Sequence, residues 1–124
     1  DITQNNNYMK IYVGADALDY TLIGSSVAVW KNPQETPQRL QFNPAHAHPT
    51  LLFDHSEPGF GDAAVVVGRT VYVYACHQQD RVMPCRVARV AWDHVFEKDH
   101  WETWTSDGRW CQDLGQAQAL FNCN

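Results

Sequence analysis

Two carboxylic acids, Glu57 and Asp62, stand just ahead of an apolar run at residues 63–67 and are the side chains best placed for chemistry. Cleavage of a glycosidic bond generally needs two carboxyl groups, one acting as acid and the other as base or nucleophile. Asp54 lies upstream of them, and Gly59 would let the backbone approach a ligand closely. The alternative is that Glu57 lies on a solvated turn and that Asp62 caps a loop.

Histidines form a second group with chemical potential. His46 and His48 would face the same way in an extended segment, and with His55 they could bind a transition metal. Loop histidines are more often polar surface residues, so neither a metal nor any other cofactor is predicted. His48 and His77 are instead predicted to contact a sugar hydroxyl or to tune a carboxyl group.

Five tryptophans stand at positions 30, 92, 101, 104 and 110. Aromatic ring faces can stack on sugar rings, so an exposed tryptophan favours glycan binding. Trp92, Trp101 and Trp104 fall at regular strand positions and are predicted to pack between sheets. Trp110 is therefore the predicted ligand-stacking residue.

Four cysteines are present, and their spacing is not the C-x-x-C of a zinc ribbon. Four cysteines allow three disulfide connectivities. Cys76 ends one predicted strand and Cys85 begins the next, so the favoured pairing joins these two and leaves Cys111 with Cys123. Disulfides persist in oxidising compartments, which predicts a secreted protein. Four reduced cysteines in a cytosolic protein are the alternative.

Composition limits the class of protein. The 124 residues are 44% hydrophobic and 19% charged, which is typical of a folded domain. The net charge is −5, and the basic residues are scattered singly, so no nucleic acid partner is predicted. No apolar run approaches the roughly 20 residues that cross a bilayer, so no membrane partner is predicted either.

The clearest strands are predicted at residues 63–67, 70–76, 85–92 and 101–105, where β-formers are frequent and turns lie between. Gly68-Arg69 fits a two-residue hairpin turn. The run at 63–67 is continuously apolar, which predicts a strand buried on both faces.

Shorter signals complete the pass along the chain. The Asn-rich residues 1–7 are predicted to be frayed, and residues 113–120 are predicted to form one short helix. Because the clear strands outweigh this one short helix, the predicted fold class is all-β.

Four strands in sequence with short connections predict an antiparallel meander, as in one blade of a β-propeller. A blade takes about 40–50 residues, and a closed propeller needs at least about four blades. The chain is thus expected to be part of a propeller whose remaining blades come from a missing segment or another chain. A self-contained β-sandwich or barrel is the alternative. Within 1–124, the predicted divisions are a first blade at 8–56, a second at 57–110, and a next blade or tail at 111–124.

Several segments carry a resemblance in a familiar order: GSSVAVW (24–30), LLF (51–53), EPGFGDAAVVVGRTVYVYAC (57–76), CRVARVAW (85–92) and WETWTSDGRW (101–110). They resemble the repeats of secreted bacterial and fungal five-bladed β-propeller domains, long catalogued as a domain of unknown function, some of which degrade arabinan. The resemblance covers about two-thirds of the chain. The family domain is far longer, so a site built from several blades would be only partly supplied here.

The resemblance implies a glycan-related role acting on a polysaccharide or oligosaccharide. The segment around Glu57 is similar to the acid-bearing segment of five-bladed furanosidases, which implies Glu57 as general acid and Asp62 as second carboxylate or positioning group. Asp16 is a candidate partner acid that would also contact substrate. The expected function is thus a glycoside hydrolase-like, carbohydrate-active propeller. A lectin-like glycan-binding propeller without an acid pair and a structural or protein-interaction propeller are the alternatives.

Overall fold

A computed structural model describes residues 4–13, 20–30, 34, 36, 38–39, 41, 48–54 and 56–123 of the chain. The chain divides into two compact units, Asp1–His55 (unit 1) and Ser56–Asn124 (unit 2). The described residues form ten strands and three single-turn 3-10 helices, with no α-helix among them. Every strand pairing is antiparallel, which confirms the all-β prediction.

Unit 1 contains one long hairpin and two short strands. Strand β1 (Gln4–Val13) pairs with β2 (Tyr20–Trp30), and the register shifts between Lys10 and Ile11. The other edge of β2 pairs with β3 (Gln38–Arg39) and with β4 (Phe53–Asp54). The prediction of a frayed amino-terminal segment is therefore wrong from Gln4 onward. The backbone of this Asn-rich segment finds its hydrogen-bond partners in β2, a pairing that the composition of the segment does not indicate.

Gly24 explains how β4 can lie so close to β2. A Cβ atom at position 24 would overlap the carbonyl oxygen of Phe53, so only glycine leaves room for this pairing. The Leu52 amide donates to Ser26 Oγ at 3.1 Å, which satisfies a hydroxyl that is itself fully buried. Leu52 and Phe53 are also buried.

Unit 2 is a six-stranded antiparallel sheet whose first five strands follow chain order. These strands are β5 (Ala63–Val67), β6 (Thr70–Cys76), β7 (Pro84–Ala91), β8 (Glu102–Trp104) and β9 (Trp110–Cys111). The last strand, β10 (Phe121–Asn122), returns to pair with the start of β7. The predicted strand boundaries in this unit hold to within one or two residues.

The β5–β6 turn follows the predicted chemistry. Gly68 has a φ of 62°, the left-handed value required at the first central residue of a type II′ turn. The register Val67↔Thr70 confirms that only Gly68 and Arg69 lie between the strands.

The core of unit 2 lies around β7 and the segment that follows it. Trp101 is fully buried, and its Nε1 donates to the Val95 carbonyl at 2.9 Å. Thr103 is also fully buried and donates to the Val87 carbonyl at 2.7 Å. The other side chains of this unit that are at most 4% exposed include Phe60, Val73, Ala75, Cys85, Val87, Ala88, Val90, Val95 and Leu114.

Strand β5 differs from its prediction. All five of its residues are exposed, and Val66 and Val67 are each 62% exposed. Among the described residues β5 pairs with β6 alone, so it is an edge strand of the sheet. The prediction that this continuous apolar run is buried on both faces is therefore wrong, because the residue types of a strand do not determine which elements cover it.

The cysteine prediction is half right. Cys76 and Cys85 are directly opposite each other on β6 and β7 and form a disulfide. Cys111 and Cys123 have free thiols, so the second predicted bridge is not formed. Cys111 lies at the level of Ala88 on β7, whereas the Cys123 amide donates to the carbonyl of Met83. The positions of Ala88 and Met83 are about 16 Å apart along the chain through β7, at about 3.3 Å per residue, and this separation is well beyond the reach of a disulfide.

Two further predictions change. The helix predicted at residues 113–120 is instead a single 3-10 turn, Leu114–Gln116. At the start of this turn the Gly115 amide donates to Asp113 Oδ1 at 3.1 Å. Trp92 was predicted to pack between sheets but is 55% exposed. Trp101 is buried as predicted.

Candidate functional site

One face of the unit 2 sheet gathers aromatic and charged side chains. The register places Tyr72 opposite Arg89 and Arg89 opposite Glu102, and opposite residues of neighbouring strands share a face. Trp104 lies two residues beyond Glu102 and is opposite Trp110. These five side chains, Tyr72, Arg89, Glu102, Trp104 and Trp110, are called the aromatic face below.

Arg89 is the centre of the aromatic face. Its guanidinium carbon lies 3.9 Å from the centroid of the Trp110 ring, a cation–π contact. Its Nε donates to Glu102 Oε1 at 3.4 Å. About a third of each of these two charged side chains is exposed, so the pair is reachable from solvent and yet held in place.

Two aromatic side chains pack against Trp110. The Trp104 ring meets it edge-on with centroids 5.5 Å apart, and the Tyr72 ring is tilted against it at 6.2 Å. Trp110 is therefore half-buried and not openly exposed, but its orientation is fixed by its neighbours.

An open cavity of about 350 Å³ lies beside this face. It is lined by Thr70, Arg89, Val90, Ala91, His100 and Glu102. These residues lie at the end of the sheet that carries the β5–β6 turn and the β7–β8 connection, because Thr70 is opposite Ala91. The lining thus combines a guanidinium, a carboxylate, an imidazole and a hydroxyl with two small apolar side chains.

Glu57 is largely buried, with 13% of its side chain exposed, and it is paired with a cation. Lys98 Nζ donates to Glu57 Oε1 at 2.6 Å. Lys98 belongs to the connection between β7 and β8, so this ion pair ties the segment ahead of β5 to that connection.

Asp62 and His77 lie at the opposite end of the sheet from the cavity, where β6 ends. Asp62 Oδ2 accepts a hydrogen bond from the Cys76 amide at 2.7 Å. The Gly59 amide donates to His77 Nε2 at 3.3 Å. A Cβ at position 59 would lie 3.3 Å from the His77 ring, so glycine permits this approach. Asp62 and Glu57 are thus held by different parts of unit 2.

The remaining predicted residues belong to unit 1. Asp16, His46 and His55 lie outside the described residues. His48 is half-buried in a turn, and its carbonyl accepts from the Leu51 amide at 3.2 Å. The predicted contact of these side chains with a ligand stays a prediction.

Sequence reasoning missed Arg89, Glu102 and Lys98. Arg89 is one of two arginines in the otherwise apolar strand β7, and a charged residue inside such a strand is a signal that something must pair with it. Its partners could be named only from the register, because Glu102 and Trp110 lie on strands reached through connections of variable length.

The chain matches no protein-family model and no curated protein. Within the described part of the chain, no helix has the length and apolar character needed to cross a membrane.

Proposed function

We propose that this chain is part of a secreted, carbohydrate-binding β-propeller and that it recognises a glycan at the aromatic face of unit 2. One observation carries the proposal: Arg89 is fixed between Glu102 and the Trp110 ring at the wall of an open cavity. Polar groups that are oriented in advance beside an aromatic ring are what a sugar-binding cavity requires.

The chemistry of the lining suits a sugar. A guanidinium offers several N–H donors in one plane and a carboxylate offers several acceptor positions, so Arg89 and Glu102 together match the adjacent hydroxyl groups of a sugar ring. The Thr70 hydroxyl can both donate and accept. Trp110, half-buried against Arg89, adds an apolar ring beside this lining.

The proposal favours binding over catalysis in this unit. Glu57 is engaged by Lys98 at 2.6 Å, and Asp62 accepts from the Cys76 amide at 2.7 Å. Each predicted catalytic carboxylate therefore has a structural partner. The two are anchored to different segments, whereas glycosidases hold their carboxyl pair about 5–10 Å apart around one bond.

The larger assembly is supported by two features of unit 2. Strands β5 to β8 form a meander in chain order, which is the pattern of a propeller blade. The apolar side chains of β5 are exposed, as expected for a strand that neighbouring blades would cover. The Cys76–Cys85 disulfide supports an oxidising, extracellular location.

The binding test is a calorimetric titration of the chain with arabinan-, xylan- and cellulose-derived oligosaccharides. For the oligosaccharide that binds, Arg89→Ala and Trp110→Ala should each lower the affinity about tenfold, the equivalent of about 1.4 kcal/mol. Arg86→Ala is the matched control. Arg86 lies on the same strand, and its Nε donates to the Ala117 carbonyl at 3.3 Å, away from the cavity lining.

Folding must be separated from recognition in that test. Glu102→Gln keeps the size of the side chain and removes its charge, so it should weaken binding while leaving the melting temperature nearly unchanged. Equal affinity for the unmodified chain, Arg89→Ala and Glu102→Gln would reject the proposed site. No binding of any of these glycans would reject the proposed function.

Hydrolysis is a second candidate, favoured by the low exposure of Glu57 beside Lys98. A partly buried carboxylate held beside a cation is suited to act as an anionic nucleophile or stabilising group, with its partner acid supplied by another blade. Release of reducing sugar from arabinan by the assembled protein, and its loss in Glu57→Gln, would support this candidate. Unchanged release in that variant would exclude Glu57.

A further inference from the structure

A second cluster of polar side chains lies in the connection between β7 and β8, which also contains Lys98, the partner of Glu57. This connection contains the 3-10 turns Trp92–His94 and Lys98–His100. The Glu97 amide donates to the His94 carbonyl at 3.0 Å, and the His100 amide donates to the Glu97 carbonyl at 3.0 Å. Each of these hydrogen bonds joins residues three apart, as in a 3-10 turn, although the backbone of Glu97 itself is extended between the two turns. The connection therefore brings His94, Glu97 and His100 to one side.

The three side chains already converge on one point. Glu97 Oε2 lies 2.9 Å from His94 Nδ1 and 2.9 Å from His100 Nε2. One nitrogen or oxygen from each residue falls within 4.8 Å of the others. The two imidazole rings are stacked, with centroids 4.0 Å apart and planes inclined by 9°. Two imidazoles and one carboxylate thus share a single small volume.

We propose that His94, Glu97 and His100 bind a divalent transition metal ion of the zinc class. Zinc is held by imidazole nitrogen and carboxylate oxygen at about 2.0–2.2 Å, so its tetrahedral ligands lie about 3.3 Å apart, within the spacing found here. Two nitrogens and one oxygen exclude a preference for calcium or magnesium, which take oxygen ligands. Each imidazole coordinates through an unprotonated nitrogen, and the fourth position takes water.

Closing the site requires only side-chain rotation. Parallel rings cannot both point a lone pair at one ion, so at least one imidazole must turn about its side-chain bonds. The side chains of His94, Glu97 and His100 are 38%, 52% and 45% exposed, so packing does not hinder this turn.

The backbone beneath the cluster is held in place, which favours a defined site. Val95 is 4% exposed, and its carbonyl accepts from the buried Trp101 ring. The Asp99 carbonyl accepts from Gln112 Nε2 at 2.8 Å. Asp93 Oδ1 lies 4.0 Å from His94 Nε2, the nitrogen not directed at Glu97, so this carboxylate places a negative charge near the ring without a hydrogen bond to it.

The fourth position has access to solvent and to the cavity. His100 contributes to the cavity wall together with Arg89 and Glu102. A metal ion bound at His100 would therefore lie at the margin of this cavity. The metal site stands on its own residues and does not depend on glycan binding.

The test is a titration of the full chain with ZnCl₂ by calorimetry, and with Co²⁺ by visible absorption. Cys111→Ser and Cys123→Ser are introduced first, because free thiols also bind these metals. One equivalent of Zn²⁺ should bind, and Co²⁺ should give the intense bands of a tetrahedral site. His94→Ala, Glu97→Gln and His100→Ala should each lower the affinity by more than about 100-fold, since loss of a supporting residue alone costs about 10–100-fold.

Two more variants make the result specific. Asp93→Asn should lower zinc affinity less than any of the three ligand variants, because Asp93 lies 4.0 Å from His94 Nε2 and contributes only its charge. His77→Ala is the control, because His77 is an exposed histidine outside the cluster. The zinc affinity of this variant should equal that of the parent chain. Absence of stoichiometric zinc binding, or binding that His94→Ala and His100→Ala leave intact, would overturn the proposal. All variants are checked for an unchanged melting temperature without metal.

Discussion

Lys98 donates a hydrogen bond of 2.6 Å to the carboxylate of Glu57, and this ion pair fastens the start of unit 2 to the β7–β8 connection. Lys98 is 38% exposed, whereas Glu57 is only 13% exposed. The solvent exposure of this pair is therefore intermediate. Exposed ion pairs contribute little to the free energy of unfolding, whereas disruption of buried ones is costly.

Replacing Lys98 with Met tests this contact. The substitution keeps the apolar stem and removes the ammonium group, so the free energy of unfolding should fall by about 1 kcal/mol. A double-mutant cycle with Glu57→Gln in urea should give coupling of the same size. The control is Arg109→Ala, whose pair with Asp107 is 78% and 69% exposed and should contribute nothing measurable. Equal losses for both pairs would contradict the argument from burial.

The Cys76–Cys85 disulfide should stabilise unit 2 by lowering the conformational entropy of the unfolded chain. The two residues are nine apart in sequence, and closing a loop of that size is worth about 2.7 kcal/mol in the chain-entropy treatment. Replacing both with Ser should lower the free energy of unfolding by about that amount in urea denaturation. Cys123→Ser removes an exposed free thiol and should change it by less than about 0.5 kcal/mol. A larger effect at Cys123 would indicate a bridge that the structure lacks.

The buried indole of Trp101 should be the most sensitive position of the core. Trp101→Phe keeps an aromatic ring but leaves the Val95 carbonyl without its donor, which should cost about 1–3 kcal/mol. Trp101→Ala adds a cavity and should cost about 3–5 kcal/mol. Thermal unfolding followed by near-ultraviolet circular dichroism measures both. Trp92→Phe is the matched control at a 55% exposed indole and should be close to neutral.

The β5–β6 turn depends on the left-handed backbone of Gly68. Its φ of 62° disfavours a residue with a Cβ atom, so Gly68→Ala should lower the free energy of unfolding by about 1 kcal/mol. The space around position 68 is open, so the cost comes from backbone conformation alone. Gly68→Asn should cost less, because asparagine tolerates this conformation. Chemical denaturation of the two variants side by side would decide this, and equal losses would count against the backbone explanation.

Local chemistry explains why most strands of unit 2 could be predicted. Gly68 marks the turn, the alternation in TVYVYAC marks β6, and the positions of Cys76 and Cys85 at facing strand ends give the disulfide. Each of these signals acts between residues close in sequence, where the pattern itself limits the geometry.

Features that depend on distant pairing could not be predicted in the same way. The contact of Arg89 with Trp110 arises because β8 and β9 align with β7 in one particular register. The free thiols of Cys111 and Cys123 follow from the return of β10 to β7 and not to β9. The cluster of His94, Glu97 and His100 has a visible spacing of three, but that spacing brings the side chains together only once backbone hydrogen bonds join each residue to the one three positions before it.

The exposed edge of β5 has a consequence for how the isolated chain behaves in solution. Natural sheets protect an edge with a lysine, a proline or a bulge, and the AAVVV sequence of β5 has none of these. An unguarded edge of this kind can recruit the strand of a second molecule. We therefore expect the purified chain to form aggregates as its concentration rises, and we expect Val66→Lys to keep it dispersed.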